Sequence, residues 1–136
     1  MKAGSKNILR RYPLSAVLIL AIWVVCMIPV PETPLNRISF IDKWTHFLMY
    51  GTLTLTLCWE YSKNHPSGQS ASRSNWLCLC VVLPIVMGCL VELAQAYLTT
   101  CRSGDWFDAL CNSLGVMLGI ILYKIFAKIF GDVKFS

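Results

Sequence analysis

The sequence is poor in charged residues, which argues against a water-soluble protein. Charged side chains make up 14% of the 136 residues and hydrophobic ones 56%, whereas soluble domains carry about a quarter charged residues. The length corresponds to one domain, and we predict a single membrane domain over residues 1–136. The formal net charge of +5 then reflects membrane topology rather than nucleic acid, and we expect no nucleic-acid partner.

The sequence also lacks the cysteine spacing of a zinc or redox site. It contains seven cysteines but no CxxC pair, and a single residue separates Cys78 from Cys80, which does not fit a zinc knuckle. Most of the cysteines lie in apolar runs, so we interpret them as small packing residues. No spacing of histidine and carboxylate residues demands an ion either, and we predict no metal and no cofactor.

Repeats, heptads and low-complexity tracts are absent as well, and the chain consists mainly of four apolar segments. They cover residues 14–30, 42–61, 76–100 and 105–126, and each approaches the ~20 residues that cross a bilayer as a helix. Alternating threonines in the second segment resemble a strand, but aromatic residues at its ends favour a membrane helix. Pro84 should kink the third segment. We predict an all-α fold, a four-helix transmembrane bundle.

Basic residues predict the orientation of this bundle. Nine of the twelve lysines and arginines lie in the two termini and in the loop after the second segment, which share one side if there are four spans. The positive-inside rule places that side, with the N- and C-termini, in the cytoplasm. Five of the seven acidic residues belong to the opposite, extracytoplasmic half. The first apolar segment mimics a signal peptide but has no small-x-small cleavage site, and we interpret it as an uncleaved span.

Polar side chains recur at helical spacing near the predicted outer ends of the last three segments. They are Asp42, Lys43 and His46 in the second segment, Glu92 and Gln95 in the third, Arg102 in the turn, and Asp105, Asp108 and Asn112 in the fourth. At a rise of about 1.5 Å per residue, Glu92 and Asn112 lie on the order of 10 Å inside their helices. We therefore expect these side chains to meet in one pocket that opens to the outer leaflet.

Three motifs in this region resemble the VanZ-like family of small bacterial integral membrane proteins. They are D-K-x-x-H-F at residues 42–47, E-x-x-Q at 92–95 and R-x-x-D-x-x-D-x-x-x-N-x-x-G at 102–115, and the likeness covers residues 42–119. The resemblance implies a role in resistance to lipoglycopeptide antibiotics such as teicoplanin. It also implies a relationship to membrane enzymes that act on lipid head groups.

Two of these residues are the best candidates for moving a proton. Glu92 could act as a general acid or base, although it could instead be the structural partner of a basic neighbour. His46 could act as a base or as a nucleophile towards phosphorus, oriented by Asp42. The alternative for His46 is an interfacial histidine bonded to a backbone carbonyl. The predicted catalytic set is Asp42, His46, Glu92 and Asp108.

The other polar residues are predicted to bind the substrate. Arg102 and Lys43 could hold a phosphate or carboxylate group, although Lys43 could equally reach lipid phosphates at the surface. Gln95 is favoured as a hydrogen bond between helices. Asp105 also has a structural explanation as the N-cap of the fourth helix, with Asp108 favourably placed in its first turn. The predicted binding set is Lys43, Gln95, Arg102, Asp105 and Asn112.

Together these features predict a multi-pass protein of the bacterial cytoplasmic membrane whose pocket faces outside. Its predicted partners are membrane lipids or lipid-linked cell-wall precursors, whose head groups it engages or modifies. The alternative is a non-catalytic membrane protein that shields or rearranges the cell-surface targets of antibiotics. A channel or transporter is disfavoured because the polar residues stop in the outer half of the membrane. The residues leave open whether the site is catalytic and which oligomer forms.

Overall fold

The computed structural model describes residues 7–29, 41–66, 72–100 and 105–130. Over these ranges the protein is all-helical, as predicted. The helices are α1 (Ile8–Arg11), α2 (Pro13–Met27), α3 (Ile41–Asn64), α4 (Arg73–Leu77), α5 (Leu83–Leu98) and α6 (Trp106–Phe130), and a π-helical turn (Cys78–Val82) joins α4 to α5. The four predicted segments correspond to α2, α3, the continuous α4–α5 helix and α6.

The alternating threonines of α3 do not prevent a helix, and the hydroxyl groups of two of them bond within it. Thr52 Oγ1 donates to the Leu48 carbonyl oxygen at 2.8 Å, and Thr56 Oγ1 donates to the Thr52 carbonyl oxygen at 2.8 Å. These two exposed hydroxyls thus find their acceptors in the preceding turn, without water. The interpretation of the second apolar segment as a helix is confirmed.

Two helices are long and apolar enough to cross a membrane, Arg73–Leu98 and Trp106–Phe130, and α2 is a shorter apolar helix. Only 33% of the apolar window of the first and 22% of that of the second are buried inside the protein. A core helix of a soluble protein buries most of its apolar surface, whereas here large side chains such as Leu93 and Met117 are exposed. This apolar exterior is that of a membrane protein.

α3 contacts α2, α5 and α6. Contacts among these helices show in which direction each of them runs. The start of α3 lies beside the start of α6, where Lys43 pairs with Asp105, so these helices run in the same direction. The end of α3 lies beside the start of α2, where Glu60 bonds Ser15, so α2 runs the opposite way. α5 also runs opposite to α6, because Glu92 in its second half lies beside Asp105.

α3 and α6 approach each other along a seam of glycines. A Cβ added at Gly119 would lie 2.6 Å from the Gly51 carbonyl oxygen, and one at Gly115 would overlap the Phe47 carbonyl oxygen. Real Cβ atoms do not come so close to backbone atoms, so an alanine at either position would push the helices apart. The seam therefore brings the two backbones together and keeps the starts of α3 and α6 in register.

Pro84 is accommodated by the π-helical turn that precedes it. Proline has no N–H group, so the Cys80 carbonyl oxygen, four residues earlier, loses its helical donor. The π-helical turn covers Cys78–Val82, and α5 begins at Leu83. Because such a turn bonds residues five apart, the helix can continue past the proline.

The start of α2 is capped by a carboxylate from α3. Glu60 accepts hydrogen bonds from the backbone N–H of Leu14 at 2.9 Å, from that of Ser15 at 3.1 Å and from the Ser15 hydroxyl at 2.6 Å. The first amides of a helix have no partner within it, and the helix dipole favours an anion there. We call these three residues the Glu60 cap. No sequence spacing indicated it, because its partners are 45 residues or more apart.

Candidate functional site

Most of the predicted site residues come together where the start of α3, the second half of α5 and the start of α6 meet. We call this group the polar site; it consists of Asp42, Lys43, His46, Glu92, Asp105, Asp108 and Asn112. Gln95 contacts a different part of the protein, and Arg102 lies outside the described residues. Asp42 is exposed and His46 is buried, so the polar site extends from the protein surface into the bundle.

Lys43 is held by two carboxylates at the start of α6. Its Nζ lies 3.0 Å from Asp105 Oδ2 and 3.2 Å from Asp108 Oδ1, and 5.8 Å from the centre of the Phe107 ring. These ion pairs link α3 to α6 and neutralise much of the lysine's positive charge. Substrate binding by Lys43 stays a prediction, and a phosphate group would have to share the ammonium with Asp105 and Asp108.

Asp105 is the N-cap of α6, which agrees with its structural interpretation. Its Oδ1 accepts the Phe107 N–H at 3.0 Å, and α6 begins at Trp106, so the carboxylate satisfies a free amide of the first turn. This hydrogen bond and the Lys43 ammonium hold the pKa of Asp105 below its ordinary value. Asp105 is therefore an anion at neutral pH that begins α6 in contact with α3.

His46 is buried, with 1% of its surface exposed, and Asn112 holds one of its ring nitrogens. His46 Nδ1 lies 3.0 Å from Asn112 Oδ1 and 3.7 Å from Glu92 Oε1. Because an amide oxygen only accepts hydrogen bonds, Nδ1 carries the proton and Nε2 keeps its lone pair in the neutral ring. That lone pair is what a base or a metal ligand needs. Catalysis by His46 stays a prediction.

Glu92 is buried without a full set of hydrogen bonds. Its side chain is 10% exposed, and its Oε2 accepts the Asp105 N–H at 3.4 Å. Its Oε1 and the Asn112 Nδ2 have no hydrogen-bond partner in the part of the chain that the structure describes. Buried polar groups are nearly always hydrogen-bonded. Glu92 Oε1, an acceptor without such a partner beside His46, therefore marks a place where a ligand's polar group would bind, whereas Asn112 Nδ2 lies against Gly88 of α5.

Gln95 joins α5 to α2 rather than to the polar site. Its Nε2 donates to the Cys26 carbonyl oxygen at 3.0 Å, close to the end of α2 at Met27, where helix carbonyls lack partners. This contact is the hydrogen bond between helices that the sequence favoured for Gln95. Its predicted part in substrate binding has no support from this geometry and stays a prediction.

Three residues of the polar site could hold a metal ion. Asp42, His46 and Asp108 each offer one ligand atom, and these atoms all lie within 4.8 Å of one another. The first two come from α3 and the third from α6, so no spacing along the chain could indicate the group. With Lys43 beside it, the arrangement combines an acid, a base and a cation, which are the groups needed to move a proton next to a bound anion.

Comparisons with known proteins identify a family and a relative. The sequence model of the family described as VanZ/LLP1 matches residues 5–127, most of the chain. An uncharacterised protein of Schizosaccharomyces pombe is 30% identical over 118 residues, which cover 81% of this chain and 65% of the relative. The chain thus spans somewhat less than two thirds of that relative's length. No solved structure matches the chain.

Proposed function

The chain belongs to the VanZ/LLP1 family, and on that premise we propose that it is a multi-pass membrane protein that engages the head group of a membrane lipid or a lipid-linked envelope precursor at the polar site. One observation carries the proposal: buried Glu92, Asp108 and His46 gather with the partly exposed Lys43 at one end of the bundle. Such groups are costly in a membrane, and where they occur they mark functional sites.

The directions of the helices support four spans. α2 and α5 run opposite to α3 and α6, as four successive crossings require. α3 has 24 residues, enough for a hydrocarbon core of about 30 Å, and its buried His46 and Glu60 face other helices instead of lipid. α2, with 15 residues, is the shortest span in this proposal and would need local thinning of the bilayer. The positive-inside rule then places the termini in the cytoplasm and the polar site outside.

A lipid head group fits the chemistry of the polar site. Lys43 and the N-terminus of α6 would attract a phosphate oxygen, and Arg102 is predicted to add a second cationic contact. In the enzymatic form of the proposal, water attacks the head-group phosphorus while His46 Nε2 takes its proton, the P–O bond to the leaving alcohol breaks, and the histidine returns the proton to the leaving oxygen. In the binding form, the same residues hold the head group without reaction.

The yeast relative favours a head group that bacteria and yeasts share, such as that of a glycerophospholipid. Resistance to lipoglycopeptides such as teicoplanin would then be a consequence of a changed envelope in a bacterial host. The alternative, a protein that shields antibiotic targets without using the polar site, predicts drug tolerance that follows expression level and survives His46→Gln.

The test is to identify the lipids that copurify with the protein. Wild type, His46→Gln and Glu92→Gln are purified in a mild detergent, and their bound lipids are compared by mass spectrometry. Losing one hydrogen bond to a charged group costs about 1.5–3 kcal/mol, so we expect at least about tenfold less of one lipid class in both variants.

Two substitutions elsewhere in the protein provide matched controls. His65→Gln changes the other histidine, whose Nδ1 contacts the Tyr61 carbonyl oxygen at the far end of α3. Glu60→Gln changes the carboxylate of the Glu60 cap. Both should keep the wild-type lipid. Lipid profiles that do not differ among the five proteins would contradict the proposal.

A further inference from the structure

A cluster of potential metal ligands joins the first turns of α3 and α6. Asp42 and His46 are one helical turn apart and share a face of α3, and Asp108 lies in the first turn of α6. One ligand atom from each lies within 4.8 Å of the other two. Atoms bound to one ion at about 2.1 Å lie on the order of 3–4 Å apart, so a small inward rotation of exposed Asp42 would complete the geometry.

The imidazole of His46 is oriented as a metal ligand requires. A metal-binding histidine usually donates the N–H of its other ring nitrogen to a carbonyl or carboxylate oxygen, which sets the tautomer. Asn112 Oδ1 supplies that contact to His46 Nδ1 at 3.0 Å. One ring nitrogen is thus held by the protein, and the other keeps a lone pair.

Carboxylates outnumber cations in the part of the polar site where α5 and α6 meet. Glu92 accepts the Asp105 N–H, and Asp105 and Asp108 share the ammonium group of Lys43. Within the described ranges these three carboxylates therefore lie beside one paired lysine, and a divalent ion would balance the excess negative charge.

Glu92 is an independent sign of a ligand. Its side chain is nine-tenths buried, and its Oε1, which has no hydrogen-bond partner among the described residues, lies 3.7 Å from His46 Nδ1, the ring nitrogen that also contacts Asn112. A buried carboxylate is costly unless it is paired. An ion on Nε2 of the same imidazole would offset this negative charge across the ring.

We propose that Asp42, His46 and Asp108 form a binding site for a divalent first-row transition metal ion, Mn²⁺ or Zn²⁺. The mixed ligand set favours these ions, since imidazole is a poor ligand for Mg²⁺ and Ca²⁺. Asp108 can keep Lys43 on Oδ1 and present Oδ2 to the ion, because a carboxylate has two oxygens.

The cation site deepens the proposed function, and it depends on that proposal only for what the ion would do. Because the ion takes the free lone pair of the imidazole, His46 is then a ligand of the ion and not the base. Lys43 shares its charge with Asp105 and Asp108, so a divalent ion held by three of the polar-site residues would strengthen the attraction for a phosphate group and polarise it. Binding of the ion itself needs no lipid, so the two proposals can be tested separately.

The test is a titration of the purified full chain with Mn²⁺. The protein is stripped with a chelator in detergent, and free Mn²⁺ is followed by electron paramagnetic resonance. Mn²⁺ is the probe because the seven cysteines would compete for Zn²⁺. We expect about one Mn²⁺ per chain in wild type and in the His65→Gln control, and at least about tenfold weaker binding in Asp42→Asn and His46→Gln.

Asp42→Asn is the decisive variant, because Asp42 is exposed and an isosteric change there leaves the bundle folded. Zn²⁺ should displace the bound Mn²⁺, and Mg²⁺ at the same concentration should not. No binding by wild type, or equal binding by wild type and Asp42→Asn, would overturn the proposal. If Mn²⁺ does not bind while the lipid of the previous test still does, the cation site is wrong and the head-group proposal stands.

Discussion

Glu60 and Glu92 are both buried glutamates of the same bundle, yet their surroundings differ. Glu60 accepts three hydrogen bonds of 2.6 to 3.1 Å from the start of α2. Glu92 accepts the Asp105 N–H at 3.4 Å and keeps an oxygen without a partner among the described residues. A carboxylate whose oxygens accept their full set of hydrogen bonds from the protein stabilises the fold. A carboxylate whose oxygens accept only part of that set can still bind a ligand. Hydrogen bonding, rather than burial, therefore separates the two roles.

The largest expected effect is on folding stability when the two glutamates are changed in the same way. Glu60→Gln places an NH₂ group against the N–H donors of α2, and we expect the free energy of unfolding to fall by about 2 kcal/mol or more. Glu92→Gln loses one long hydrogen bond and relieves a buried charge, so we expect a loss below about 1 kcal/mol. Denaturant unfolding in detergent, followed by the fluorescence of the five tryptophans, measures both.

The decisive result is whether Glu60→Gln lowers the free energy of unfolding more than Glu92→Gln does. If Glu92→Gln were as destabilising as Glu60→Gln, Glu92 would be a structural residue like Glu60, and the distinction between the two sites would fail.

A smaller effect is expected when a single donor is removed from the Glu60 cap. Ser15→Ala deletes the hydroxyl that lies 2.6 Å from Glu60, and we expect a loss of about 1 kcal/mol in the free energy of unfolding. Ser113→Ala is the matched control, because its hydroxyl bonds the Ala109 carbonyl oxygen of its own helix at 3.1 Å and alanine favours helix. Equal losses in the two variants would show that the Ser15 hydroxyl adds nothing to the cap.

The smallest effect is expected at the exposed edge of the polar site. The Asp105 side chain is 42% exposed, and exposed ion pairs contribute little. Because the folded-state pKa of Asp105 is lowered, its stabilisation is present above the unfolded-state pKa of about 3.9 and is lost as the pH falls through the folded-state value.

This sign makes the pH dependence testable. The melting temperatures of wild type and Asp105→Asn should differ slightly at neutral pH and converge below about pH 4. High salt should also reduce the difference. A difference that is constant from neutral to acid pH would contradict the assignment of Asp105 as a paired, capping anion.

Local spacing predicted those parts of the site that depend on neighbours along the chain. The four-residue separation of Asp42 and His46 places them on one face of a helix, and the position of Asp105 before an apolar run predicts its capping role. Contacts between helices could not be predicted from such spacing. The pairing of Lys43 with Asp105 and the hydrogen bond from Gln95 to the end of α2 had no local sequence signal, and substrate binding by either residue stays a prediction. Such partners depend on the rotation and register of whole helices, which no local pattern encodes.

By itself, the sequence determined that the chain is helical and apolar, that it resembles the VanZ-like family, and which polar residues lie near one end of the bundle. These properties follow from composition, helical period and capping chemistry, which act over a few residues. Only the tertiary structure decided that Glu60 is satisfied by α2 while Glu92 is not, and that Asp108 lies beside Asp42 and His46. The physical reason is the close approach of α3 and α6 at Gly51, Gly115 and Gly119, which sets the register in which their polar side chains meet.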